Sequence, residues 1–233
     1  MGWQGRPQGT STHPDPPMDY GVARDRMVDE QLWGRGIRDK RVLAAMVRIP
    51  RHRFVQEALV SRAYGDAPLP IGDGQTISQP YMVGLMSEAL GLGGGERVLE
   101  VGTGSGYQTA VLADLAAKVY SVERVRSLAD QALRRLGDLG YYNIRIRTGD
   151  GSMGWAEEAP FDAILVTAGA PAVPAPLLDQ LGPGGRLVVP VGTASSQTLR
   201  RITRGPRGHV DEDLVGCVFV KLVGERGWPE GAG

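Results

Sequence analysis

The sequence predicts an α/β fold, a doubly wound and mostly parallel sheet with N-terminal helices and an antiparallel C-terminal end. Three observations carry this. Val98-Leu99-Glu100-Val101-Gly102-Thr103-Gly104-Ser105-Gly106 reads as a buried strand running into a tight glycine turn, and Tyr107 to Ala113 has the pattern of a packed helix. Beyond residue 96 strand and helix patterns alternate, which is the βαβ rhythm of a parallel sheet with helices on both faces. After Gly192 two strand-like runs follow with no helix between them, which suits antiparallel pairing.

Taken in order, residues 1–18 read as a tail. Gly, Pro, Ser, Thr and Gln dominate it, His13-Pro14-Asp15-Pro16-Pro17 is not helical, and disorder is expected. Residues 19–233 are expected to form a single domain. The spacing of Val22, Met27, Val28, Leu32 and Trp33 suits an amphipathic helix. Asp39 caps a second helix through Val42, Leu43, Met46 and Val47, which Pro50 ends. A proline- and glycine-rich link spans Ala67 to Gly74, and Pro80 suits the first turn of a helix to about Leu90. Strands are predicted at 97–101, 118–122, 144–148, 162–166 and 186–189, then at 198–203 and 214–220. Helices are predicted near 107–116, 125–139 and 174–181. This divides the domain into N-terminal helices with a cleft segment (19–95), a cofactor-binding core (96–192) and C-terminal strands (193–233).

Composition narrows the function classes. Formal net charge is zero and the pI is near 6.8, so there is no nucleic-acid footprint. The single cysteine, Cys217, excludes an internal disulfide and a cysteine-built zinc site, and its apolar run suggests a small buried residue. No apolar run reaches the length of a membrane span, and no secretory signal is visible. A cytoplasmic monomer is the default expectation, with no metal.

The chemistry concentrates at the glycine turn. Glycines at 102, 104 and 106 remove side chains where a ligand must approach the backbone. The next strand pattern ends in Glu123, whose carboxylate is placed to accept from both hydroxyls of a ribose. The dinucleotide fingerprint G-x-G-x-x-G would need glycine at 107, where Tyr107 stands. The pattern E-x-G-x-G-x-G instead resembles the first motif of S-adenosylmethionine-dependent methyltransferases, with a structural turn in another α/β protein as the alternative. A second element, Gln75-Thr76-Ile77-Ser78-Gln79-Pro80-Tyr81, precedes a helix. On its chemistry alone, Ser78 reads as a cap for that helix.

That second element resembles a signature of the protein-L-isoaspartate O-methyltransferases. The resemblance covers about residues 22–228, including Met27 to Leu32, Ala63-Tyr64, Leu69 to Gly72, Val98 to Gln108, Gly149-Asp150-Gly151, Ala159 to Ile164 and Leu181 to Gly192. It implies a Rossmann-like methyltransferase fold. The implied activity is methyl transfer from S-adenosylmethionine to the α-carboxylate of L-isoaspartyl residues in damaged proteins and peptides, initiating repair through a succinimide. By resemblance, Gln75, Thr76, Ile77 and Ser78 line the cofactor and substrate cleft, with Ser78 orienting the acceptor. Gly102, Gly104, Ser105 and Gly106 approach the cofactor's amino-acid portion, and Glu100 is counted with them. Glu123 holds the ribose, Arg124 lies beside the adenosine, and Asp150 and Gly151 meet the adenine.

Two positions depart from the family pattern. Val83 replaces a histidine found in some animal members, and Lys221 stands where proline is expected, so the loop there is expected to differ. His13, His52 and His209 find no convincing partner in the sequence and read as a tail residue, a surface residue after Pro50 and a turn residue. Two further readings stay open. One is a methyltransferase of the same fold with another carboxylate or small-molecule acceptor, and the other is a nonenzymatic cofactor-binding protein.

Overall fold

The computed structural model describes residues 19–231; the tail expected over residues 1–18 lies outside them. The N-terminal block is helical. Asp19 accepts from the Gly21 and Val22 backbone N–H groups and starts α1 (Tyr20–Arg26). The same rod continues as a π-helix over Met27–Leu32 and a 3₁₀ turn over Trp33–Arg35, where Gly36 at φ 100° ends it. The widened turn brings Met27, Val28 and Leu32 inward and leaves Val22 exposed, so the predicted single helix is three joined pieces. Asp39 caps α2 (Lys40–Arg48) through the Arg41 and Val42 N–H groups, as the sequence indicated.

The region read as a link is a β-hairpin. Strands β1 (Leu69–Gly72) and β2 (Gln75–Ile77) pair antiparallel around Asp73-Gly74. Helix α3 (Pro80–Leu90) follows, with Pro80 in its first turn where the missing N–H costs nothing.

From here the chain alternates: β3 (Arg97–Val101), α4 (Tyr107–Leu115), β4 (Lys118–Glu123), α5 (Arg126–Asp138), β5 (Ile144–Thr148), β6 (Phe161–Val166), α6 (Ala175–Asp179) and β7 (Leu181–Gly192). Strands β8 (Gln197–Gly205) and β9 (Gly208–Cys217) complete a seven-stranded sheet of order β5-β4-β3-β6-β7-β8-β9. The first five strands are parallel, and β8 and β9 are antiparallel to their neighbours. The predicted α/β class and antiparallel end are therefore both present. The last strand lies earlier than the predicted 214–220, and the apolar run past Cys217 leaves the sheet. Cys217 itself is only partly buried.

Apolar side chains fill both faces of the sheet. One cluster joins Val98, Ala163 and Val188 to Leu32, Met46, Met86 and Leu112 of the helices. The other joins Leu99, Val122 and Ile164 to Trp155 and Leu177. The strand order turns outward on both sides of the β3–β6 pair, a topological switch point. There the loops leaving β3 and β6 diverge and open a crevice at the carboxyl ends of the strands.

Candidate functional site

A cleft with about 860 Å³ of empty space, its open mouth included, occupies that crevice. The hairpin supplies Gln75, Thr76, Ile77 and Ser78 to its wall. The turn after β3 supplies Gly102, Thr103, Gly104 and Ser105, the end of β4 supplies Glu123 and Arg124, and Gly151 follows β5. Four strand ends, a hairpin and the segment after β9 thus bring residues up to 148 positions apart in sequence, Gln75 and Val223, into one concavity.

The glycine turn is shaped for a close ligand. Gly102 has φ 98°, and a Cβ there would be driven into the Thr167 hydroxyl. Gly104 turns its N–H toward Glu123, which accepts it through Oε2 at 2.8 Å. Glu123 Oε1 accepts from the Val125 N–H at 2.9 Å. A carboxylate offers about four lone-pair sites. Two are used by the backbone, and two are left for a diol. Gly106 is the N-cap of α4, and it packs against Ala132 and Leu136 of α5 rather than lining the cleft.

Ser78 is not the cap of α3. The N-cap is Gln79, with no side-chain cap bond, and Ser78 instead faces the cleft. The backbone carbonyl of Ser78 accepts from the Arg51 guanidinium at 2.7 Å.

Glu100 and Asp150 are corrections to the sequence reading. Glu100 is 0 % exposed and lies beneath the cleft. Strand alternation turns it to the α4 face, where its Oε2 accepts from Thr109 Oγ1 at 2.5 Å and Ser121 Oγ at 2.6 Å. Its role is to brace the floor under the turn. Asp150 is also absent from the lining, and only its neighbour Gly151 is there. The Asp150 carboxylate accepts from Ser152 N–H and Oγ and, through Oδ2, from the Glu225 N–H at 2.7 Å. Burial opposes its ionised form, but these donors hold its pKa below the usual carboxylate range. It anchors the C-terminal segment to the β5 loop.

Burial pushes the Glu100 pKa from 4.5 up to about 8, against the lowering effect of its two hydroxyl donors. An acid whose pKa is raised by folding stabilises the fold fully below its unfolded value and loses that contribution as pH rises through the folded value. Stability should therefore decline between about pH 4.5 and 8. Glu100→Gln should flatten that decline, as read by thermal melts across the interval. An unchanged slope in the variant would remove Glu100 as its source.

Sequence reasoning missed several lining residues. Thr167 and Ala168 follow β6, and Tyr107 and Gln108 come from helix α4, while Val83 of α3, singled out in the sequence as a departure, also lines the cleft. The rule that ligands bind outside the carboxyl ends of strands would have found the first two. Val220 to Val223 cross the cleft after β9. Lys221 sits there, with its Nζ 5.9 Å from the Trp228 ring centroid. The contact with Gly169 is made by the Val220 carbonyl and the Leu222 N–H, so the ladder does not require position 221 to donate. A proline at 221 would therefore lose no ladder hydrogen bond, and the lysine changes the side chain at the wall. His52 is not a lone surface residue either. Its ring stacks on Tyr20 at 4.3 Å and its Nδ1 lies 2.8 Å from the Tyr64 hydroxyl.

The model of the protein-L-isoaspartate(D-aspartate) O-methyltransferase family matches residues 23–227. The chain belongs to that family. A protein-L-isoaspartate O-methyltransferase 2 from Geotalea uraniireducens is 61 % identical over 89 % of this chain and 96 % of its own length. One from Geobacter metallireducens is 58 % identical over 91 % of this chain and 98 % of its own. A solved protein-L-isoaspartate O-methyltransferase superposes with a TM-score of 0.80 at 32 % identity, covering 88 % of this chain and 67 % of that one. A Plasmodium falciparum structure described as a protein-L-isoaspartate O-methyltransferase with S-adenosyl-L-homocysteine gives a TM-score of 0.75 at 30 % identity, over 86 % and 98 % of the two chains.

The isoaspartate methyltransferase is thus an S-adenosylmethionine-dependent enzyme of isoaspartyl repair. The cradle fits that cofactor. A side-chain-free turn lies beside a buried carboxylate with acceptor capacity to spare, which suits a ribose joined to a small zwitterion. Among the described residues no helix is long and apolar enough to cross a membrane.

Proposed function

We propose that the cleft holds S-adenosylmethionine between the glycine turn and Glu123 and presents the α-carboxylate of an isoaspartyl residue at the Gln75–Ser78 wall. The observation behind this is that Ser78, Gly104 and Glu123 share one concavity. When bound, the cofactor supplies a methyl group already activated on a sulfonium. The protein's task is then placement. An α-carboxyl group has a reference pKa of about 3.5, so the acceptor arrives ionised and needs no general base. Ser78 orients that carboxylate, and Val83, Tyr107 and Val220 keep the surroundings apolar. Gly151, whose missing Cβ lets the backbone pack against Val101, borders the adenine, and Arg124 borders the adenosine.

The substrates are flexible isoaspartyl proteins and peptides, and the chain works as a monomer in the cytoplasm. The methyl ester made there loses methanol when the following backbone nitrogen attacks its carbonyl carbon. Water then opens the succinimide to aspartyl or isoaspartyl product, and repeated cycles restore the normal linkage.

Ser78→Ala tests the acceptor wall. Because no side chain caps α3, the variant should melt within about 0.5 kcal/mol of the parent, the range of substitutions that touch no stabilising feature. Its kcat on an isoaspartyl peptide should fall while the calorimetric Kd for S-adenosylmethionine holds. Full turnover in Ser78→Ala would remove Ser78 from the mechanism.

A further inference from the structure

Arg51 opens the 3₁₀ turn Arg51–Phe54 and is 0 % exposed, the bulkiest of the fully buried side chains. A buried cation is costly unless its donors are satisfied. Burial lowers its pKa to about 10, so it stays charged at neutral pH. Its contacts are carbonyls and a ring. Nε donates to the Ala63 carbonyl at 2.8 Å, and Nη2 donates to the Ser78 carbonyl at 2.7 Å. The guanidinium carbon lies 4.8 Å from the centroid of the Tyr107 ring. Nη1 and the Tyr107 hydroxyl are buried polar atoms left over at this same contact.

These contacts join three parts of the cleft and its support through one side chain. Ser78 ends the hairpin wall, Tyr107 is the first residue of α4 after the glycine turn, and both line the cleft. Ala63 belongs to the N-terminal block. The Phe54 ring packs edge-on against Tyr107 at 5.4 Å and closes the far side of the contact. A lysine has one compact ammonium. It does not hold two separate carbonyls in fixed directions while lying over a ring.

We propose that Arg51 is a positioning residue for methyl transfer. It fixes the Ser78 carbonyl, and with it the Ser78 side chain, at a set distance from the first turn of α4. The inference rests on Ser78 orienting the acceptor. Arg51 touches neither substrate nor cofactor and acts through Ser78.

The test is a double-mutant cycle in the full chain: Arg51→Lys, Ser78→Ala and the pair. Each is assayed for kcat and KM on an isoaspartyl peptide, for the calorimetric Kd of S-adenosylmethionine and for melting. Arg51→Lys should lower kcat about tenfold, less than the roughly hundredfold cost of a 1 Å misplacement because lysine keeps the charge and one of the carbonyl contacts, with the cofactor Kd within about twofold. In the Ser78→Ala background the same change should cost almost nothing, because its route of action is gone. Arg51→Met supplies a stronger version, and if it does not fold the lysine cycle stands by itself. Equal losses from Arg51→Lys in both backgrounds would overturn the proposal, as would a loss confined to cofactor affinity or melting. If Ser78→Ala alone leaves turnover intact, the Ser78 reading fails first, and that result is distinct from an additive cycle.

Discussion

Glu123→Ala should weaken S-adenosylmethionine binding more than any other single change at the turn. Glu123 is 6 % exposed and stands at the carboxyl end of β4. Its two oxygens already fix the Gly104 and Val125 N–H groups at 2.8 and 2.9 Å. In the proposed arrangement the remaining lone pairs accept the ribose hydroxyls. Hydrogen bonds to a charged partner contribute roughly 1.5–3 kcal/mol each. Loss of two therefore corresponds to at least a hundredfold in Kd at about 1.4 kcal/mol per tenfold. The alanine also frees the Gly104 amide, so the turn loses its fixed direction and the loss is larger than the ribose contacts alone. Calorimetry on the variant, with melting curves to separate affinity from folding, checks this. Glu123→Gln separates charge from geometry, because one amide oxygen still accepts. Unchanged affinity in Glu123→Ala, or tighter binding of NAD than of the methyl donor, would contradict the assignment.

Glu123 was legible in the sequence because an apolar run and an acidic stop mark a strand end whatever surrounds it. The same reasoning located Arg97–Val101 and Ile144–Thr148 to the residue. Parallel strands are bracketed by turns and carry strong apolar patterns. Edge strand β9 has no such mark. Its Gly208 to Asp213 stretch is exposed and carries Asp211, Glu212 and Asp213, all three of which pair with Arg200 or Arg201 across the ladder. Of the run predicted as a strand over 214–220, Leu214 to Cys217 end β9 and the rest leaves the sheet; Val220 to Val223 cross the cleft, where burial comes from the site rather than from a sheet. The β1–β2 hairpin was hidden by Pro70, Gly72 and Gly74, residues that argue against strands in general but suit a short two-stranded ribbon.

The misplaced carboxylates show a different limit. Residue type and strand-end position marked Glu100, Glu123 and Asp150 alike. What separates them is three-dimensional. Glu100 is fully buried beneath the turn with its Oε2 taken by Thr109 and Ser121, and Asp150 is claimed by the Glu225 N–H, 75 positions away. No local pattern carries such a partner. Arg51 escaped notice for the same reason: Pro50-Arg51-His52-Arg53 reads as a solvated basic turn, and only the packing of Ala63, Ser78 and Tyr107 around it makes it a buried fork.

An isoaspartyl peptide should be methylated at least a hundredfold faster than its normal aspartyl twin, since small misplacements of reacting atoms cost about that much. The isoaspartyl linkage runs the backbone through the side-chain carbonyl and leaves the α-carboxylate free, one methylene nearer the chain. The cleft fixes both ends of that geometry. Its floor is rigid, because Thr103, Ser121, Thr109 and the buried Glu100 are joined by hydrogen bonds of 2.5–2.6 Å beneath the turn. Its acceptor wall is tied down through the Ser78 carbonyl. Neither wall can follow a carboxylate that sits one methylene farther out, so the normal aspartyl group reaches the cleft out of line with the methyl donor. Labelled methyl transfer to the two peptides in parallel measures the ratio. Deleting residues 1–18 should leave it intact, because the matched region begins at residue 23. Equal rates on the two isomers would mean that the walls do not set the acceptor's position, and would return the acceptor to another class of carboxylate.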